Sequence, residues 1–118
     1  MHIVVCMKQV PDPESPPESF AIDQETLRVE PRGIPPVMSL FDENALEAAL
    51  KMKDADKDGT RITVLSAGKR VPNAVMLKSL AAGADALAKI EGPDLDHMAL
   101  NARGTAHVLA RAIEKIGD

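Results

Sequence analysis

Residues 62–90 read ITVLSAGKRVPNAVMLKSLAAGADALAKI, and the order of their three parts decides the fold. Ile62-Thr63-Val64-Leu65 is an unbroken, largely β-branched run, the pattern of a strand covered on both faces, and it leads into Ser66-Ala67-Gly68. Residues 72–82 then suit a helix, with Pro72 fitted to its first turn and Gly83 to the position past its end. Ala86-Leu87-Ala88-Lys89-Ile90 is a third, weaker apolar run and reads as the next strand. A helix between two strands makes a crossover, so the strands run parallel.

Outward from this unit the alternation continues. Ile3 to Met7 form a short apolar run closed by Lys8 and Pro11, which reads as an earlier buried strand over residues 2–7. Residues 11–19 are proline-rich loop. Phe20-Ala21-Ile22-Asp23 and Thr26-Leu27-Arg28-Val29 alternate in polarity around Gln24-Glu25, as an excursion hairpin would. After a second breaker cluster at 31–36, Ser39 stands as N-cap, with Asp42 three residues on as in a capping box, and opens a helix over 40–53. Phe41, Ala45, Ala48, Ala49 and Met52 recur at helical spacing and are its expected inward stripe. A last helix is expected over 96–116, with Met98, Ala102, Thr105, Leu109, Ala112 and Ile116 facing inward and Gly117 as its stop. The expected order is therefore α/β: a parallel sheet near residues 2–7, 61–66 and 86–90, with helices on its faces, in one domain over 1–118.

Composition narrows the function. The net charge is −4 with no basic stripe, and Phe20 and Phe41 are the only aromatics, so nucleic acid is not the expected partner. Cys6 is alone, which leaves no disulfide framework or thiol metal cluster, and it is expected to be an inert apolar residue of a buried strand. His2, His97 and His107 do not cluster. Asp54, Asp56, Asp58 and Gly59 echo a calcium loop, but Leu65 stands where its closing glutamate belongs. No dinucleotide fingerprint, Walker A sequence or zinc-protease motif is present, so the chain is expected to bind rather than catalyse. No run is long enough to span a membrane, and the expected location is cytoplasmic. Ligands of open parallel sheets bind at the carboxyl ends of the strands. Three segments land there: the loop from Cys6 through Met7, Lys8 and Gln9 to Asp12, the helix start from Ser39 through Leu40 and Phe41 to Asp42, and Ser66-Ala67-Gly68. Lys69-Arg70 is a small basic pair beside the last of these.

The same segments carry a resemblance. Val4-Val5-Cys6-Met7-Lys8-Gln9-Val10-Pro11-Asp12 resembles the opening strand of electron transfer flavoprotein β subunits. The segment Ser39-Leu40-Phe41-Asp42-Glu43-Asn44-Ala45-Leu46-Glu47 resembles that family's helix-one motif, although Ser39-Leu40 replaces its Asn-Pro and so substitutes a hydroxyl for an amide. Phe20 to Leu27, Val64-Leu65-Ser66-Ala67-Gly68 and Ala82-Gly83-Ala84-Asp85 resemble further elements in order along nearly the whole chain. The resemblance implies a three-layer α/β/α, Rossmann-like domain of the adenine nucleotide α-hydrolase-like (HUP) type. It implies AMP or FAD as ligand, contacted by Cys6 through its backbone, by Ser39 to Asp42 and by Ala67. It implies an α-subunit-like partner chain for electron transfer; the alternatives are a stand-alone nucleotide-binding regulatory protein or an assembly module. In that family strand one is central and a further strand supplies more of the contacts. The chain is therefore expected to be truncated on its C-terminal side, stopping at Asp118, with the free edge of strand one covered by the excursion or by a second copy in a homodimer.

Overall fold

The computed structural model describes residues 1–95 and 101–117. In chain order the elements are β1 (His2–Cys6), β2 (Gln9–Pro11), a 3-10 turn at Pro17–Ser19, β3 (Phe20–Ile22), β4 (Val29–Pro31), β5 (Pro36–Met38), α1 (Leu40–Ala55), β6 (Arg61–Gly68), α2 (Asn73–Ala82), β7 (Ala86–Glu91) and α3 (Ala102–Ile116). Among the described residues the central sheet has the order β1-β6-β7, parallel throughout. Val5 pairs with Val64 and Leu65 with Ala88. The expected α/β architecture is thus present, with helices on both sides of a parallel sheet.

Side-chain alternation along these strands makes two faces. Ile3, Val5, Ile62, Val64 and Leu87 look toward α1 and α2 and pack with Leu46, Ala49, Val75 and Met76. Ile62 and Val64 are essentially sealed from solvent. The opposite residues, such as Thr63 and Leu65, face α3. There His2 joins layers: its Nε2 lies 2.8 Å from Thr63 Oγ1 and its Nδ1 lies 3.1 Å from the Gly117 carbonyl oxygen.

Several expectations are corrected. Of the expected inward stripe of α1 only Ala49 is buried, beside Leu46, whereas Phe41 is 84% and Met52 49% exposed and Ala45 and Ala48 are exposed too. The buried face is rotated from the expected one so that it centres on Leu46 and Ala49. The chosen face begins at Asp42 and ends at Lys53, and both charges find partners. Lys53 Nζ donates to Asp85 Oδ1 at 2.5 Å and to the Gly83 carbonyl at 3.0 Å. Asp85 Oδ2 also accepts the Ile62 N–H at 2.8 Å. The Gly83-Ala84-Asp85 element therefore pins the amino end of β6 to the end of α1. Helix α3 starts after Asn101, whose side chain caps it by accepting the Gly104 N–H at 3.1 Å. Its Thr105, Leu109, Ala112 and Ile116 are half-buried, while Ala102 is exposed. His97, Met98 and the rest of 96–100 lie outside the described residues, as does Asp118.

The excursion hairpin exists as β3 with β4, pairing Ile22 with Val29, two residues later on its second limb than the polarity pattern implied. It pairs with itself and does not cover the edge of β1, so the fold-back expected from the sequence is not formed. β2 and β5, both expected as loop, form a second antiparallel pair, with Pro11 opposite Pro36 at its end, where a missing donor costs least.

Candidate functional site

The carboxyl end of β1 is fixed by backbone bonds before any ligand is considered. Met7 N–H donates to the Leu65 carbonyl at 2.8 Å, and the chain then leaves the sheet into β2. Its first residue off the sheet, Lys8, is held twice by the start of α1. The Lys8 carbonyl accepts the Ser39 N–H at 3.1 Å, and the Lys8 N–H donates to Asp42 Oδ2 at 2.8 Å. Ser39 is the N-cap by position, but its buried hydroxyl does not cap; the Asp42 and Glu43 N–H groups bond its carbonyl instead. The expected capping box is therefore replaced by a bond from Asp42 to the strand-one loop.

Cys6 is exposed, contrary to its expected place inside a buried strand, because β1 is an edge strand among the described residues and its last side chain points away from the α1 core. Partial loss of water around its sulfur, with the Asp42 carboxylate adding, pushes the thiol above its ordinary value. A thiol so shifted stays protonated at neutral pH and is a poor nucleophile.

Beyond Lys8 a cleft of about 690 Å3 opens between the carboxyl ends of β1 and β6 and helix α3. Lys8, Gln9 and the Ser66-Ala67-Gly68 segment line one side, the loop from Lys69 to Val71 continues it, and Thr105 and Leu109 stand on the α3 side. Gln9 Nε2 is buried and has no hydrogen-bond partner among the described residues, an amide donor left over at the cleft wall. The loop after β6 is braced by β7: Glu91 Oε1 accepts the Val71 N–H at 2.7 Å, and Lys89 Nζ donates to the Val71 carbonyl at 3.1 Å and to Asn73 Oδ1 at 2.9 Å. The Val71 N–H, and secondarily Lys89, hold the Glu91 carboxyl below its ordinary value.

The structure thus gathers Lys8, Gln9, Ser66, Ala67 and Gly68 on one cleft. Ser39 and Asp42 adjoin it through the Lys8 backbone. Met7 does not belong to it, because its side chain is buried in the core, and Leu40 and Phe41 project into solvent. Gly68 is the last residue of β6, paired with Glu91, not a turn glycine. The α3 wall and Val71 were not in the expected site, whereas the basic pair Lys69-Arg70 was visible beside it. The amphipathic spacing of Thr105 and Leu109 is the sequence signal for the α3 wall. No group of three or more His, Cys, Asp or Glu side chains is placed to hold a metal ion among the described residues.

A parallel sheet with helices on its faces is the architecture of the three-layer α/β class, and its crevice lies at the carboxyl ends of the strands, where ligands of such folds bind. The model of the electron transfer flavoprotein domain family matches residues 26–118, and the chain belongs to that family, on its β-subunit side. It is 40% identical over 116 residues to the electron transfer flavoprotein subunit beta of Megasphaera elsdenii, covering 98% of this chain and 40% of that one. It is 34% identical over 118 residues to Protein FixA of Azorhizobium caulinodans, covering 100% of this chain and 39% of that one. A third relative is the caffeyl-CoA reductase-Etf complex subunit CarD of Acetobacterium woodii, 39% identical over 85 residues, 72% of this chain and 30% of that one. The chain spans about 40% of the length of the first two of these relatives.

Proposed function

We propose that this chain is the adenine-nucleotide-holding part of an electron transfer flavoprotein β-type subunit, acting beside an α-subunit-like chain in the cytoplasm. The observation that carries the reading is the cleft at the carboxyl ends of β1 and β6. Its volume of about 690 Å3 falls within the range of small-molecule sites. Its wall offers an amide donor at Gln9 with no partner among the described residues and, at Gly68, a backbone with no side chain to hold a ligand off. Those features fit the polar edges of AMP or of the AMP half of FAD, held by Lys8, Gln9, Ser66, Ala67 and Gly68, with Ser39 and Asp42 fixing the Lys8 backbone. Bound FAD would supply the redox chemistry; the residues here bind and orient. The role is that of a carrier component rather than an enzyme.

The test is the absorbance spectrum and extracted nucleotide of the purified chain, followed by titration with AMP and FAD watched by amide shifts. Shifts at residues 8–9 and 66–68 are expected. Shifts confined to the amino ends of the strands, near Ile62 and Asp85, would remove the proposal. A second partner, another copy of the chain, is favoured by the open edge of β1, which pairs only with β6 among the described residues.

A further inference from the structure

The charges around the cleft are not a sample of the molecule's charges. The chain carries 18 acidic and 14 basic residues, yet among the described residues the ionisable side chains lining the cleft are all cations: Lys8, Lys69 and Arg70. Two of the three stand next to each other in the loop after β6. That loop is braced at Val71 by both its N–H and its carbonyl, through Glu91 at 2.7 Å and Lys89 at 3.1 Å. Bracing keeps the two cations at the rim instead of letting them swing away. Lys69 and Arg70 also line a neighbouring depression of about 450 Å3 with Glu91, Gly92 and Pro93, so the pair forms the ridge between two hollows. Glu91 is the acid that lines the second hollow among the described residues; its carboxylate accepts the Val71 N–H at 2.7 Å, lies 3.6 Å from Lys89 Nζ and is also influenced by the Arg70 charge. A concave, like-charged rim focuses its field and favours an anion of matching size.

We propose that Lys69 and Arg70, together with Lys8, form an anion subsite that takes the phosphate end of the cleft's ligand, with Arg70 as the residue that separates phosphorylated from unphosphorylated ligands. The inference rests on the reading of the cleft as the nucleotide site, but the subsite has a probe of its own, inorganic pyrophosphate. Guanidinium binds phosphate oxygens through paired N–H donors, which an ammonium cannot match in geometry. Lys89 and Glu91 act as positioning residues for the loop and touch no ligand.

The experiment is calorimetric titration of the whole chain with adenosine, AMP, ADP and sodium pyrophosphate at two salt concentrations. The proteins are the natural sequence, Arg70→Ala, the double variant Lys69→Ala/Arg70→Ala, and Lys78→Ala as a neutralised cation away from the cleft. Arg70 and Lys69 are exposed, so folding should be retained, which circular dichroism checks. Expected are affinities in the order ADP, AMP, adenosine, a loss of roughly tenfold or more for AMP and pyrophosphate in the double variant, and no change for adenosine or for Lys78→Ala. Affinity for AMP should fall with salt, and less steeply in the double variant. Equal binding of AMP and adenosine, or an unaltered double variant, overturns the subsite and leaves the nucleoside cleft standing. Pyrophosphate binding that the double variant loses, with no adenosine binding, keeps the subsite and removes the adenine-nucleotide reading. Binding of none of the four overturns both.

Discussion

Gly68 and Gly83 differ in what a methyl group would meet. At Gly83 the backbone has φ +123, and a Cβ would stand 3.0 Å from Leu50 Cδ2, on the face that α1 buries. Gly83→Ala is therefore expected to cost more than about 1 kcal/mol in denaturant unfolding, from strain plus crowding. At Gly68 the backbone is an ordinary strand, and a Cβ would touch only the Arg70 carbonyl at 3.7 Å and Val71 Cγ2 at 3.8 Å. Gly68→Ala should leave stability within about 1 kcal/mol of the natural sequence, or raise it slightly. If a nucleotide lies against this backbone, the same substitution weakens AMP binding; unchanged affinity would place the ligand elsewhere in the cleft. Asp85 supplies a pH test at the same scale. The Lys53 ammonium first, and the Ile62 N–H second, hold its carboxyl below the ordinary carboxylate value. A folded-state value lower than the unfolded one gives stability that is fully present above about pH 4 to 5 and disappears as pH falls through the depressed value. Acid titration followed by circular dichroism should show a shallower acid limb in Asp85→Asn than in the natural sequence. Parallel limbs would show that Lys53 and Asp85 contribute no net coupling.

The pairing of β1 decides which of its backbone groups remain open. Met7 N–H bonds to Leu65 and the Met1 carbonyl accepts from Arg61. Backbone groups of a strand alternate sides, so those of Ile3 and Val5 also face β6, and those of Val4 and Cys6 face the free edge. Proline at the two neighbours should then act differently. Val5→Pro removes a ladder bond and disturbs a buried side chain, and is expected to unfold the chain. Val4→Pro removes only an outward donor, which edge strands tolerate, and should abolish concentration-dependent association while the helical signal remains. Sedimentation over a concentration range measures it. A natural sequence that stays monomeric at high concentration would remove the self-pairing idea. The strands and their parallel sense were legible because Ile62–Leu65 and Ile3–Met7 carry unambiguous aliphatic runs and the intervening helices carry clear end signals. The α1 face was misjudged because a 3.6-residue period fits two stripes equally. What selects between them is long-range: Lys8 receiving Asp42, and Gly83 and Asp85 receiving Lys53, none of which is near in sequence. β2 and β5 were missed for a related reason, since three-residue strands with a proline at one end carry no periodicity. The cleft's strand-end wall was legible through topology, whereas its α3 wall and braced loop depend on tertiary contacts made by Val71 and Leu109.

At the scale of the molecule, the radius of gyration of 15.5 Å exceeds the roughly 13.5 Å expected of a compact domain of this length, and the extents are 51 × 29 × 20 Å. The excursion is the natural source of that elongation. Its residues Ile22, Leu27 and Val29 are 62%, 77% and 59% exposed, and among the described residues β3 and β4 pair with each other alone. It also carries its own scaffold. The Asp23 carboxylate accepts the Glu25 and Thr26 N–H groups at 2.9 and 2.6 Å and the Thr26 hydroxyl at 2.9 Å, and Leu27 takes a left-handed φ of 54 to close the turn. Those bonds, the Thr26 ones foremost, depress the Asp23 carboxyl below its ordinary value without involving the core. At the hairpin's base the Arg32 N–H donates to the Ser19 carbonyl at 3.0 Å, so the two ends already meet. Removing residues 20–31 and joining Ser19 to Arg32 through a short glycine link should therefore leave the domain folded. Its melting temperature should stay within about 3 °C of the natural sequence, a shift corresponding to less than about 1 kcal/mol. X-ray scattering should show the radius of gyration falling toward the compact value, and AMP affinity should not change, because no cleft residue lies in the excised segment. A large loss of melting temperature, or a loss of AMP binding, would make the hairpin part of the nucleotide domain's own core. Retention of both would leave its exposed Ile22, Leu27 and Val29 as surface held out from a domain that does not need them for folding.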